Sequence, residues 1–281
     1  MECRIEDIKL TYEVVGEGKP IIMLHGWPLD HRHMVSELEP VFQHRGGWKR
    51  VYPDLPGMGR TPGRNWITHQ DQMLDITLAF IDSVIPGQRF VVAGASYGGY
   101  LARGVVHERS DLMDGLLLTV PVVQADESER SLPSTVTLVE DPALLSELPP
   151  TEAEAMQGIA VVQDRELLEW LRANIIPAIE AADQAFLSRV RENYAFSFDV
   201  DSLPEPFAGP TLMLMGRQDG VCGYRDAWGI VEDYPRATFA VLDRAGHGLA
   251  VEQRHLFNVL VSEWLDRVEE YAGLSPVPER R

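Results

Sequence analysis

Cysteine is nearly missing from this chain, with only Cys3 and Cys222 in 281 residues. Two thiols without C-x-x-C spacing form neither a disulfide framework nor a zinc or redox motif, so both are expected to be reduced and structural. Long apolar runs are missing too. No stretch approaches the roughly 20 residues that span a bilayer, and the opening MECRIEDIKLTYEVV has neither an apolar signal core nor an Arg-rich amphipathic pattern; a cytoplasmic protein is expected. Positive charge is scarce, since 25 Lys and Arg against 43 Asp and Glu leave a formal charge of −18. That balance repels phosphate backbones and anionic lipid, which argues against nucleic acid and membrane as partners. What remains is an ordinary globular composition, 45% hydrophobic and 24% charged, long enough for an α/β domain with an insertion.

Short buried strands are the dominant pattern. IKLTYEVVG (8–16) alternates apolar and polar residues, as a half-exposed strand does. PIIMLHG (20–26), RFVVAGAS (89–96), GLLLTVP (115–121), PTLMLMG (210–216) and ATFAVLDRAG (237–246) instead read as strands buried on both faces, with WKRVYPDLPG (48–57) weaker. Helical spacing lies between or after them in DQMLDITLAFIDSVI, YLARGVVHER, RDAWGIVEDY and one long segment, AVEQRHLFNVLVSEWLDRVEEYAG. This alternation predicts an α/β fold with a mostly parallel, doubly wound sheet flanked by helices. Residues 122–206 break it: they are too long for a loop and helical in spacing, so they are expected to form a helical cap inserted between core segments 1–121 and 207–281. The final SPVPERR is expected to fray.

In a parallel sheet the carboxyl ends of the strands carry the ligand site. Ser96 follows VVAGA and precedes a helix, the strand-turn-helix context in which G-x-S-x-G presents a nucleophile. Gly94 and Gly98 fit that turn, because side chains there would meet neighbouring backbone. Asp219, in MGRQDG, and His247, in RAGHG, lie beyond the ends of the two later strands. A serine hydroxyl needs a base, and an imidazole base needs a carboxylate to hold its tautomer; the order Ser, Asp, His supplies both. An oxyanion needs donors, and the backbone N–H groups of Tyr97 and Trp27 are the candidates, since Pro28 has none.

LHGWP, DLPGMGRT, GASYGG, GRQD and AGHG, in that order over nearly the whole chain, resemble the α/β-hydrolase superfamily. Thr61, where many members have serine, and Gly220 after the acid are small departures. The resemblance implies an α/β-hydrolase fold, a Ser96-His247-Asp219 triad, a structural His25 organising the oxyanion loop, and no cofactor. HGWP also occurs in epoxide hydrolases and haloalkane dehalogenases, but these use an aspartate nucleophile, against which Ser96 speaks.

Asp243, placed inside the last strand, and Asp126, in a polar loop, are weaker candidates for the acid. His31, His33, His44, His69, His107 and His255 are expected mostly at the surface. Asp30, His31 and His33 do not suggest a metal, because positions i and i+2 diverge on a helix. GMGRTPG lacks the Lys-Ser/Thr of a phosphate loop. Trp170, Ile175, Ile176, Phe186 and Tyr194 either line a pocket or pack the cap. The expected activity is hydrolysis of a small-molecule ester through an acyl-enzyme, with acidic cap residues weakly disfavouring an anionic substrate. Carbon–carbon bond hydrolysis, perhydrolase or cofactor-free haloperoxidase chemistry, and a ligand-binding receptor are the alternatives.

Overall fold

The apolar residues 21–24 split by turns between two cores: Ile22 and Leu24 face one side of a sheet, Ile21 and Met23 the other. This is the period-2 pleat of a strand covered on both faces. The computed structural model describes residues 1–274; the SPVPERR tail lies outside the described residues. In chain order the strands are β1 (Glu2–Ile5), β2 (Ile8–Val15), β3 (Lys19–Leu24), β4 (Trp48–Pro53), β5 (Phe90–Ala95), β6 (Met113–Thr119), the two-residue β7 (Val139–Glu140) and β8 (Val162–Gln163), β9 (Thr211–Gly216) and β10 (Ala237–Leu242). Eight of them form one sheet in the order β1-β2-β4-β3-β5-β6-β9-β10, while β7 and β8 pair separately. β1 and β2 are antiparallel to their neighbours and the rest of the sheet is parallel. The chain is an α/β-hydrolase fold.

Helices α1 (His31–Phe42), α2 (Gln70–Val84) and α3 (Tyr97–Arg109) connect the first strands. Leu74 and Ile81 of α2 and Leu101 and Val105 of α3 join Ile22, Val92 and Leu116 in one core. Leu38 of α1 joins Ile21, Val91 and Leu117 in the other. Between β6 and β9 the chain makes α4 (Pro142–Glu147), α5 (Pro150–Ile159), α6 (Arg165–Trp170), a π turn (Leu171–Ile175), α7 (Ile176–Ala181) and α8 (Gln184–Arg191). Much of this segment has its own core, including Leu144, Met156, Leu168 and Trp170, whereas Phe186, Leu187 and Val190 of α8 sink into the main one. Arg103, fully buried on α3, ties the segment's two ends together. Its Nη1 donates to Val122 O at 3.0 Å and its Nε to Asp201 Oδ1 at 2.9 Å.

The structure departs from four expectations. The last strand is not buried on both faces, because β10 is an edge strand and only Leu242 is fully covered. Asp243 therefore stands exposed one residue beyond it rather than inside it. RDAWGIVEDY is only the short α9 (Arg225–Gly229) and a 3-10 turn, and the long final helix is broken at Gln253 into α10 (Leu249–Glu252) and α11 (Arg254–Leu274). Phe257 and Trp264 of α11 close the second core. No helix among the described residues is long and apolar enough to cross a membrane.

Candidate active site

The chain leaves β3 toward β4 on one side of it and returns to β5 on the other, so the strand order reverses at the β3/β5 boundary. A crevice opens at such a switch point, beyond the carboxyl ends of the strands. Ser96 sits there, at the end of β5, with φ of 53° and ψ of −116°. This is costly backbone for an L-residue, and it is pinned by Ser96 N donating to Thr119 O at 2.9 Å and by Ser96 O accepting from Val122 N at 3.0 Å. The turn closes only because its flanks are glycine: a Cβ at Gly98 would stand 1.9 Å from Leu24 O, and one at Gly94 would stand 2.2 Å from Gly98 O.

Asp219 and His247 arrive from β9 and β10. His247 Nδ1 is 3.0 Å from Asp219 Oδ2, and His247 Nε2 is 3.0 Å from Ser96 Oγ. The other oxygen of Asp219, Oδ1, accepts from Val221 N at 2.8 Å and Cys222 N at 3.1 Å. Burial pushes the Asp219 carboxyl up, but His247 and these two N–H groups outweigh it and hold the pKa below the ordinary value. Burial likewise lowers His247, and Asp219 more than reverses it, so its pKa lies above the ordinary 6.5. With Asp219 accepting, Nδ1 carries the proton and Nε2 is left as acceptor for Ser96 Oγ–H. Asp126 does not pair with His247: exposed on the rim of the same cavity, it accepts from Ser128 N at 2.9 Å.

The loop after β3 adjoins Ser96, since a Cβ on Gly26 would lie 3.4 Å from Ser96 Cβ. His25 is fully buried behind it, with Nδ1 2.9 Å from Gly26 O and Nε2 accepting from Leu55 N at 3.1 Å. Burial lowers its pKa to about 4, so it is a neutral spacer between the two loops. Tyr97 N opens α3 and has no helical acceptor. The backbone N–H groups of Tyr97 and Trp27 have no acceptor among the described residues.

The histidines divide. His44 and His255 are exposed, and His69 and His107 half-buried. His33 is buried, correcting its placement at the surface: its Nδ1 accepts from Gly26 N at 3.2 Å, and its Nε2 is 3.1 Å from Glu37 Oε1. Its signal in the sequence was the i,i+4 spacing to Glu37 beside the buried stripe of Met34, Leu38 and Val41. His31 is largely covered too, with Nδ1 2.7 Å from Asp54 Oδ1. Asp54 already accepts the N–H groups of His31 and Arg60, each at 3.0 Å, and its pKa falls to about 2 because these bonds and His31 outweigh burial. Asp219, Cys222 and His247 also cluster, but burial and Asp219 push the Cys222 thiol well up.

A cavity of about 660 Å³ opens at Ser96, lined among others by Trp27, Val122, Ala125, Arg130, Tyr194 and Val221. Of the five aromatic and aliphatic residues expected to line it or pack, Tyr194 lines it, with its ring 5.8 Å from Trp27 and 5.7 Å from Tyr97. Trp170 and Ile175 pack the segment's own core with Ile176 against it, and Phe186 packs in the main core. Two further contributors were not foreseen, Arg130 in the cavity wall and Glu252. The Glu252 carboxylate accepts from Val161 N, Val162 N and Gly246 N at 2.6, 3.0 and 2.7 Å.

The sequence pattern of the Alpha/beta hydrolase family matches residues 21–259. The AB hydrolase superfamily protein YisY of Bacillus subtilis (strain 168) is 26% identical over 273 residues, covering 92% of this chain and 96% of that protein. A pimeloyl-[acyl-carrier protein] methyl ester esterase of Legionella pneumophila (strain Paris) is 21% identical over 274 residues, covering 89% and 96%. Among solved structures, an alpha/beta superfamily hydrolase from Oenococcus oeni PSU-1 superposes with a TM-score of 0.84 at 28% identity, covering 96% of this chain and 99% of that one.

Proposed function

This chain belongs to the alpha/beta hydrolase family, and we propose that within it the protein is a serine hydrolase of small carboxylic esters. The observation that carries this reading is the continuous path from Asp219 Oδ2 through both nitrogens of His247 to Ser96 Oγ, with 3.0 Å at each step, opening into a cavity. The methyl ester esterase activity named for the Legionella relative supports the choice of bond.

The steps follow from the geometry. His247 Nε2 takes the Ser96 Oγ proton as the oxygen attacks the ester carbonyl, and Asp219 stays ionised, stabilising the imidazolium. The N–H groups of Trp27 and Tyr97 donate to the oxyanion of the tetrahedral intermediate. His247 Nε2 then protonates the departing alcohol, leaving an acyl group on Ser96. A water then attacks the acyl carbonyl while giving a proton to His247 Nε2; the Ser96 Oγ–acyl bond breaks, the acid leaves, and His247 Nε2 returns the proton to Ser96 Oγ. No cofactor enters these steps. Residues 122–206 act as a cap over the cavity, contributing Arg130 and Tyr194 to its wall.

Turnover of p-nitrophenyl acetate by the wild type and by Ser96→Ala tests the proposal. We expect hydrolysis that falls by about 10³-fold or more in the variant. Turnover of a dioxo acid or of peroxide with halide, without ester hydrolysis, would replace the reaction class. Tight ligand binding without turnover, unchanged in Ser96→Ala, would make the protein a receptor.

A further inference from the structure

Arg130 is a buried cation that no carboxylate neutralises closely. Its side chain is 6% exposed, although it lies on an open loop just past a 3-10 turn (Glu127–Glu129). Two of its three nitrogens are committed to carbonyls: Nε donates to Gln124 O at 3.0 Å and Nη1 to Val221 O at 3.1 Å. Val221 N in turn donates to Asp219 Oδ1, so the guanidinium is registered against the loop of the candidate catalytic acid. Nη2 has no hydrogen-bond partner among the described residues. The nearest acid, Glu127, keeps its Oε1 3.9 Å from Nη1 and is held by Arg191.

A buried charge is stable only when it is paired or fully hydrogen-bonded. Arg130 has only a 3.9 Å approach to a carboxylate and one nitrogen left unbonded, and it lies in the wall of the same cavity as Ser96. The rest of the wall includes Trp27, Val122, Ala125, Tyr194 and Val221, and its second cation, Arg191, is exposed. The acids at the cavity, Asp126, Glu127 and Glu192, are all exposed. Asp126 is occupied in capping its own turn and Glu127 is paired with Arg191. Solvent screens charges on the rim, whereas a buried guanidinium acts at close range in a lower dielectric.

Resting on the serine-hydrolase reading, we propose that Arg130 is a specificity residue that anchors a carboxylate on the substrate, so that half-esters of small dicarboxylic acids are preferred. The substrate carboxylate accepts from Nη2 while its ester carbonyl lies at Ser96. This preference runs against the net charge of the chain, because the loosely paired, largely buried guanidinium in the cavity wall outweighs the screened acids on its rim.

The test compares monomethyl glutarate with its neutral isostere, in which the free carboxylate is a carboxamide. Wild-type kcat/KM is expected to be about 10- to 100-fold higher for the carboxylate ester, the range of one charge-assisted hydrogen bond. Arg130→Gln brings that ratio close to one, chiefly through KM, and Arg130→Lys retains part of it because it keeps the charge. Equal kcat/KM for the two esters in a wild type whose Ser96 takes a fluorophosphonate label overturns the carboxylate anchor alone. A ratio that survives in Arg130→Gln overturns it as well. No labelling at Ser96 and no turnover of either ester overturns the serine-hydrolase reading and the anchor with it.

Discussion

The imidazole of His33 holds the main chain of Gly26, with Nδ1 accepting the Gly26 N–H at 3.2 Å. Its opposite nitrogen is held 3.1 Å from Glu37, on the next turn of α1. The loop that carries Trp27 beside Ser96 is therefore braced from behind by a buried pair on a helix, and a group placed on a rigid element keeps its position. His33→Phe keeps a flat ring but removes the acceptor. It is expected to lower kcat by up to about 100-fold, the scale of a small misplacement of a catalytic group. Stability should fall by about 1–3 kcal/mol for the stranded N–H. Steady-state kinetics and urea denaturation read the two effects, and an unchanged kcat would contradict the bracing role.

If His247 is the base, its pairing with Asp219 sets the pH dependence. In the proposed mechanism His247 is a base only when neutral, and its pKa lies above 6.5 because Asp219 outweighs burial. The kcat/KM profile should therefore rise with pH through an inflection above 6.5. Asp219→Asn should move that inflection down and lower kcat by roughly 10⁴-fold, as loss of the tautomer-holding carboxylate does elsewhere. The stability signature has a definite sign. A pKa raised on folding contributes stability that is present below 6.5 and lost as pH rises through the folded value. An inflection below 6.5 in the wild type would contradict this electrostatic account.

Glu252 joins the helical segment to the histidine loop, accepting from Val161 and Val162 on one side and from Gly246, the neighbour of His247, on the other. Glu252→Gln replaces an acceptor oxygen with an NH₂ that faces donors. The expected cost is about 1–3 kcal/mol in chemical denaturation, with slower fluorophosphonate labelling of Ser96 as the His247 loop loosens. A variant with wild-type stability and labelling rate would show that the three contacts are incidental.

How much of this was readable in advance depends on how local each signal is. Ser96, Gly94 and Gly98 lie within five residues of one another, and the turn they make is dictated by contacts among those residues and the end of β3. Asp219 and His247 follow short apolar runs that can hardly be anything but strands, so their positions at strand ends were legible. His33 carried only a weak signal, its i,i+4 spacing to Glu37, because a polar residue near a helix start reads as exposed until the loop that folds over it is known. Arg130 meets Val221 across 91 residues of sequence, and Glu252 meets Val161 across the same separation. No periodicity encodes such encounters. The partial exposure of β10 follows from strand order, which places it at the sheet edge; its own residues resemble those of a central strand.

The central claim is that Ser96 is a nucleophile activated by His247. The most direct measurement is intact-protein mass spectrometry after treatment with a fluorophosphonate, followed by mapping of the modified peptide, for the wild type, Ser96→Ala and His247→Gln. The account predicts one adduct per wild-type chain, located on Ser96, none in Ser96→Ala, and labelling slowed by several orders of magnitude in His247→Gln. A folded wild type that takes no adduct, or one that carries it on another residue, would contradict it.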